Sequence, residues 1–259
     1  MNCKPKVTLY SYPRSGRQWL SRMMLDYLIE TRLPGACLNS GKGKDTAVNK
    51  KKSQFMDILP VDFQRTHDAC SSSDTWDKCI LLVRNPLDCL NSYYYFVTAR
   101  KQLLGKPSFD GDFQDFLLSE RGLYRQISFL NSFEPILDDP ALMVVSYESL
   151  RLNSEKALQS VLEHIGVDIE FPRLLTDVVQ FHEFRNAQSR ELATLSRRKV
   201  ASRYRSEDQL HIRSGKINDT ERQISTAHLK LIRAKLSGGV SSAVKKLLTG
   251  LGYQQAFDE

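Results

Sequence analysis

Three short stretches of the sequence carry side chains suited to work on an anion. The first is Tyr12-Pro13-Arg14-Ser15-Gly16-Arg17-Gln18-Trp19. If a strand ends there and a helix begins, several backbone N–H groups and the positive end of the helix dipole meet at one point, which makes an anion site. Gly16 lets a phosphate approach the backbone, Ser15 adds a hydroxyl, and Arg14 and Arg17 add charge-assisted bonds to phosphate oxygens. The stretch is not G-x-x-x-x-G-K-[ST], because the Lys-Ser/Thr pair whose hydroxyl would hold Mg²⁺ is missing. The same residues also read as a plain strand-to-helix turn with solvated arginines.

The second stretch is Arg84-Asn85-Pro86-Leu87-Asp88-Cys89-Leu90-Asn91-Ser92. With Pro86 in the first turn of a helix, Ser92 lies about 9 Å along the axis, so its hydroxyl and the long side chain of Arg84 converge on one anion. Asp88 near the helix start complements the dipole. Tyr95 and Phe96 follow on the Ser92 face, where they border a substrate pocket or simply fill core. The third stretch is Arg65-Thr66-His67, in which a period of two puts Arg65 and His67 on the same side of a strand end. An imidazole and a guanidinium facing a shared cavity suit a base beside an anion, although a Thr-His pair alone is more often structural.

Positioning these groups requires strands that end at a common edge. Residues 6–12 are rich in β-formers and stop at Pro13, and from Gly16 onward Leu20, Met23, Met24, Tyr27 and Leu28 recur with helical spacing. Residues 33–60 form a long loop with a lysine cluster (Lys42, Lys44, Lys50, Lys51, Lys52) and a short helix near its end. Residues 61–67 make a short strand, 71–74 a turn, and 78–84 a continuous apolar strand of the kind buried on both faces of a parallel sheet. Pro86 opens a helix to about residue 101, residues 110–131 a further helix or pair, 142–147 another buried strand, and 154–165 a helix stopped by Gly166. Strands alternating with helices imply an α/β, P-loop-like three-layer sandwich, with a central parallel sheet of about four to five strands flanked by helices. The chain reads as a single domain, 1–259, in which residues 170–259 are a helical, basic C-terminal extension.

Composition narrows the classes further. The 259 residues hold 37 Lys and Arg against 30 Asp and Glu, a surplus of 7, with 41% apolar residues, 13 Gly and 9 Pro. That excludes a disordered chain, a collagen and a disulfide scaffold. The longest apolar run, Cys79 to Val83, falls far short of the roughly 18 residues that a membrane span needs. Five cysteines with no C-x-x-C pair point to a reducing, cytoplasmic setting and away from a zinc site, so no metal is expected. The positive surplus calls for a polyanionic partner: nucleic acid, a membrane surface or a nucleotide.

Taken together the motifs resemble the cytosolic-type sulfotransferases. Residues 12–19 look like that family's Y-P-K-S-G-T-T-W, with Arg14 for Lys, Arg17 for the first Thr and Gln18 for the second. Residues 84–92 match R-N-P-x-D-x-x-x-S, residues 65–67 are similar to K-T-H with Arg65 for Lys, and residues 147–150 resemble Y-E-D-L. Arg213-Ser214-Gly215 is similar to the family's R-K-G cluster, with Ser214 where Lys is usual, although residues 190–216 also read as a solvated basic face. The resemblance spans about residues 6–220.

It implies 3′-phosphoadenosine 5′-phosphosulfate (PAPS) as donor and 3′-phosphoadenosine 5′-phosphate (PAP) as product. By resemblance, Arg14, Ser15, Gly16, Arg17, Gln18 and Trp19 hold the 5′-phosphosulfate, and Arg84 and Ser92 the 3′-phosphate. Tyr147 approaches the adenine, and Arg213, Ser214 and Gly215 close as a flap. His67 takes the proton of the acceptor, helped by Arg65, Arg14 and Ser92, while Tyr95 and Phe96 border the acceptor. The implied acceptor is a hydroxyl or amine of a small molecule such as a secondary metabolite, with neither nucleic acid nor membrane as partner. His164, His182, His211 and His228 lack a motif neighbour that would aim them at a phosphate. Two other readings stand beside this one: a P-loop-like small-molecule kinase using ATP and Mg²⁺, and a nucleic-acid-binding module built on the basic C-terminal third.

Overall fold

The computed structural model describes residues 4–38, 58–196, 201–212, 215, 217 and 224–258. Four parallel strands, β1 (Lys6–Ser11), β2 (Asp62–Thr66), β3 (Lys78–Val83) and β4 (Leu142–Ser146), form one sheet in the order β2-β1-β3-β4. The chain leaves β1 toward one side for β2 and then crosses to the other side for β3. The topological switch point therefore lies between β1 and β3, and in open α/β sheets the crevice outside the strand carboxyl ends at such a point is the ligand site.

Alternation along the strands builds two cores. Val7, Leu9, Ile80 and Leu82 face helix α1 (Arg17–Glu30) and the helices α6 (Ser154–His164) and α7 (Pro172–His182). Tyr10, Cys79, Leu81 and Val83 face the opposite layer, from α2 (Pro86–Tyr95), α3 (Phe113–Leu118), α4 (Leu123–Asn131), α9 (Thr226–Gly239) and α10 (Ser242–Gly250). Both faces of the sheet are covered, which is why 78–84 reads as a continuous apolar run rather than an alternating one. Ile232, Leu236, Val244 and Leu248 are fully buried in the second layer, so the C-terminal helices complete the sandwich instead of decorating it.

Register fixes the functional edge. Ser11 lies beside Leu82, Tyr10 beside Thr66, and Val83 beside Ser146, so all four strands end at the same level. The segments that leave this edge contain Pro13 to Gly16, His67, Arg84 and Tyr147.

The structure adds local detail to these expectations. The helix opened by Pro86 becomes a π turn at Phe96–Arg100 before ending with Lys101–Leu103. Residues 110–131 form two helices parted at Gly122, where a β-carbon would stand 2.3 Å from the Phe116 carbonyl oxygen. The strand at 142–147 stops at Ser146, whose hydroxyl accepts from the Ser149 N–H at 3.0 Å and so caps a short helix, α5 (Tyr147–Leu152), that periodicity did not foresee. The remaining helix, α8 (Phe184–Ser196), runs along the rim of the carboxyl edge. Most of the lysine-rich loop, residues 39–57, lies outside the described residues.

Candidate active site

The strand ends open into a cavity of about 710 Å³, within the range of small-molecule and cofactor sites. Pro13 ends β1, and both Arg14 (φ 75°) and Gly16 (φ 96°) adopt the left-handed conformation that curls the loop into α1. Gly16 caps α1 without a side-chain acceptor, so the orphan N–H donors of the first helical turn are left for a ligand. Glycine is required at this position for two reasons: its positive φ, and the Tyr147 ring, whose Cδ2 would lie 2.7 Å from an added β-carbon. That ring cannot easily recede, because the Arg84 guanidinium stacks 4.3 Å from its centroid and Trp19 meets it edge-on at 6.1 Å. Gly16→Ala should therefore cost about 1–3 kcal/mol of stability. Urea unfolding measures this, and an unchanged midpoint would mean that the loop relaxes freely.

Arg84 leaves the end of β3 and donates to the Arg14 carbonyl at 3.2 Å, with Asp88 one helical turn on at 3.6 Å. Burial works against its charge, but Tyr147, Cys89, Asp88 and Glu148 together outweigh that and raise its pKa. Its Nε is buried with no hydrogen-bond partner among the described residues. A cationic, buried, unsatisfied donor at a cavity wall calls for an anion. The corner that aims it is clamped from two sides. The Asn85 side chain caps α2 by accepting from the Leu87 N–H at 3.0 Å. The Asn85 N–H in turn donates to Glu148 at 3.2 Å, and Glu148 also accepts from the Tyr253 hydroxyl. Burial raises the pKa of Glu148. Its place after Tyr147 thus has a structural purpose: it ties the β4 end and the C-terminus to the Arg84 corner.

Arg14 lies in the cavity wall and donates to Ser92 Oγ at 3.2 Å, to His211 Nδ1 at 2.8 Å and to the His211 carbonyl at 2.6 Å. Burial and the neighbouring Arg84 lower its pKa to about 10, which still leaves it charged at neutral pH. On the other flank, His67 Nδ1 lies 2.7 Å from the Ser11 carbonyl. A carbonyl oxygen can only accept, so Nδ1 carries the proton and Nε2 keeps its lone pair. Burial depresses the His67 pKa to about 4, opposed by the bond to Ser11 and reinforced by Arg17 and Arg125. The ring is therefore a neutral imidazole with a free acceptor nitrogen, which is what a general base requires.

The sulfotransferase domain family matches residues 4–236. The chain belongs to the sulfotransferase family. Among relatives, Sulfotransferase 6B1 of Danio rerio is 28% identical over 92 residues, a match spanning 36% of this chain and 31% of that protein. Sulfotransferase 2A1 of Homo sapiens is 22% identical over 214 residues, covering 73% of this chain and 69% of that one. Among solved structures, mouse sulfotransferase SULT7A1 complexed with PAP superposes with a TM-score of 0.62 at 18% identity, over 95% of this chain and 89% of that one. Retinol dehydratase in complex with androsterone and the inactive cofactor PAP gives 0.62 at 14% identity, over 93% and 82%. These likenesses establish the expected fold, a parallel four-stranded sheet between helical layers.

Most of the residues singled out in this sulfotransferase sequence share the cavity. Arg14, Gly16, Arg17, Gln18 and Trp19 line it on the α1 side, Arg65 and His67 at the β2 end. Arg84, Ser92, Phe96, Tyr147 and Gly215 complete the wall. Arg65, though on the wall, is exposed and donates to Ser21 Oγ at 3.0 Å. Two expectations are corrected. Ser15 does not present its hydroxyl to the cavity: the side chain is 1% exposed and meets Cys89 Sγ at 3.2 Å, because the left-handed Arg14 turns it under the loop. Tyr95 also misses the wall and packs edge-on against Tyr94, since the cavity is reached by Ser92 and Tyr93 of α2 and by Phe96 at the start of the π turn. Arg213 and Ser214 lie outside the described residues. Gly215 is held by Arg151, which donates to its carbonyl at 3.2 Å, and by the Phe184 ring.

Sequence reasoning missed other parts of the wall. Arg100 pairs with Glu191 at 2.9 Å, and Glu191 accepts from the His211 and Ile212 N–H groups at 2.8 and 2.9 Å, which seats His211 against Arg14. The His182 carbonyl accepts from Trp19 Nε1 at 2.9 Å while its ring meets Asp26 at 2.7 Å. Nine arginines and one carboxylate, Glu191, line the cavity among the described residues. The only sequence signal for this excess was the basic character of the chain.

Proposed function

We propose that the chain transfers a sulfuryl group from PAPS to a hydroxyl or amine of a small molecule, such as a secondary metabolite, with His67 as general base. The observation that carries the reading is one cavity holding a neutral imidazole with a free Nε2, an uncapped helix start, and a buried arginine with an unspent donor. The residues fit an adenosine charged at both ends of its ribose. The start of α1 with Arg14 and Arg17 takes the 5′ side, and Arg84 with Ser92 takes the 3′-phosphate. Tyr147 borders the adenine, and Gly215 belongs to the flap expected from Arg213 and Ser214.

When bound, the donor supplies the sulfuryl group and an easily expelled bisphosphate. His67 Nε2 accepts the proton as the acceptor oxygen or nitrogen forms its bond to sulfur and the bond from sulfur to the bridging oxygen breaks. Arg14, hydrogen-bonded to Ser92, would offer positive charge to that oxygen as it becomes anionic. Such a transfer needs little covalent help, so positioning and charge supply most of the catalysis. No described helix is long and apolar enough to cross a membrane. A cytoplasmic setting and a small-molecule partner, in place of nucleic acid, complete the reading.

Thermal unfolding with PAP and with ATP plus Mg²⁺ tests it. At a hundredfold excess over Kd a ligand of the native state adds about 2.7 kcal/mol, which for a chain of this size raises Tm by several degrees. PAP is expected to give that shift without metal. A shift with ATP and Mg²⁺ alone would count against PAPS as donor and promote the kinase reading.

A further inference from the structure

Most of the arginines on the cavity wall are engaged within the protein. Arg100 is paired with Glu191, Arg151 with the Gly215 carbonyl, Arg65 with Ser21, and Arg190 donates to the Phe181 carbonyl at 2.6 Å. Arg14 and Arg84 belong to the donor half. Arg17 and Arg125 differ: no carbonyl, hydroxyl or carboxylate among the described residues accepts a hydrogen bond from either half-buried guanidinium, and Arg17, at the start of α1, goes with the donor half.

The position of Arg125 is fixed rather than incidental. The buried Tyr12 hydroxyl donates to the Arg121 carbonyl at 2.7 Å and contacts that of Gly122 at 3.3 Å, docking the start of α4 beside the Pro13 to Gly16 loop. Arg125, in the first turn of α4, thereby lines the same cavity as His67, and its charge works to lower the pKa of both Tyr12 and His67. Tyr93, Phe96 and Leu104 line the same cavity with apolar surface.

Resting on the sulfotransferase reading above, we propose that Arg125 selects the acceptor: a hydroxyl compound with an apolar body and an anionic group, carboxylate or phosphate, that the guanidinium holds while the hydroxyl reaches His67. When His67 takes the proton it becomes an imidazolium with Arg17 and Arg125 as charged neighbours and Asp68 as the opposing charge. The donor's own charges answer Arg14, Arg17 and Arg84, which leaves Arg125 uncompensated. An anion on the acceptor neutralises Arg125 at the moment the imidazolium forms. A neutral acceptor would instead leave a half-buried charge without a counterpart, at the cost of its lost hydration. The planar fork of arginine suits two oxygens of one anionic group.

The test compares four phenols of similar size: 4-hydroxyphenylacetate, 4-hydroxyphenyl phosphate, 4-ethylphenol and tyramine. Binding to the PAP-loaded protein and kcat/KM with PAPS are measured for wild type, Arg125→Gln and Arg125→Lys. The wild type is expected to favour the anionic phenols over 4-ethylphenol by about ten- to hundredfold, the scale of a charge-assisted hydrogen bond, and to favour tyramine least. The two anionic phenols separate a carboxylate preference from a phosphate one. Arg125→Gln should erase the preference, weakening the anionic phenols and improving 4-ethylphenol as the uncompensated charge is removed, and Arg125→Lys should restore part of it. Equal binding of charged and neutral phenols by the wild type, or a preference that survives Arg125→Gln, overturns the proposal. Loss of PAP binding in the wild type would instead strike the sulfotransferase reading itself, so the two failures are distinguishable.

Discussion

Replacing His67 with alanine should lower kcat by about 10²- to 10⁴-fold, the usual worth of a positioned general base, while PAP binds nearly as tightly as before. The two readouts separate because His67 follows the end of β2, across β1 from the β3 end that carries Arg84, and is hydrogen-bonded to Ser11, through its carbonyl and its hydroxyl. Burial that lowers its pKa to about 4 also sets the expected pH dependence. A free imidazole loses its base form below about pH 6.5, whereas here the acid limb of kcat/KM should lie well below that value. The same shift has a stability consequence. Between about pH 4 and 6.5 the unfolded chain binds a proton that the folded protein refuses, so this part of the stability is present above pH 6.5 and is lost as the pH falls toward 4. His67→Ala should flatten that slope. Full turnover in His67→Ala with saturating acceptor would remove the base assignment.

The sheet and its edge were legible because their signals are local. A β-rich run halted by Pro13, and an apolar strand followed by Arg84-Asn85-Pro86, each fit within about ten residues, and helix and strand periods declare themselves over such a span. The orientation of Ser15 was not legible, since it follows from the left-handed conformation of Arg14, and nothing about an arginine announces a positive φ. Nor was the choice of Phe96 over Tyr95, which depends on how α2 rolls against the sheet. The largest omission was long-range: Arg14 and His211 are 197 residues apart in the chain, and their contact exists only because Glu191 and Arg100 fold the intervening segment over the loop. A histidine without motif neighbours gives no hint of such a partner. The C-terminal helices were underrated for a related reason: their basic residues catch the eye in the sequence, while the residues that complete the second core layer, including Ile232, Leu236, Val244, Leu248 and Tyr253, are interspersed among them.

The Arg84 corner yields the other large effect. Arg84→Gln should weaken PAP by about ten- to hundredfold or more, because a cationic donor in a nearly dry wall is worth roughly 1.5–3 kcal/mol to an anion, and the orphan Nε is lost with it. The loss should appear in Kd for PAP and KM for the donor, with kcat falling less, since the proposed reading puts Arg84 at the ribose end, remote from the transferring group. Glutamine also removes the Arg84–Asp88 ion pair and the plane stacked on Tyr147, so part of the effect will be a lower Tm. Arg84→Lys separates the two contributions. It keeps a positive charge near Asp88 and so should keep most of the stability, but it has no planar fork to span the Arg14 carbonyl and a phosphate together. Titration calorimetry on the folded lysine variant should therefore show PAP weakened by about tenfold at near-native Tm. If the lysine variant binds PAP as tightly as the wild type, point charge alone is enough at this corner, and the unspent nitrogen is not the phosphate's partner.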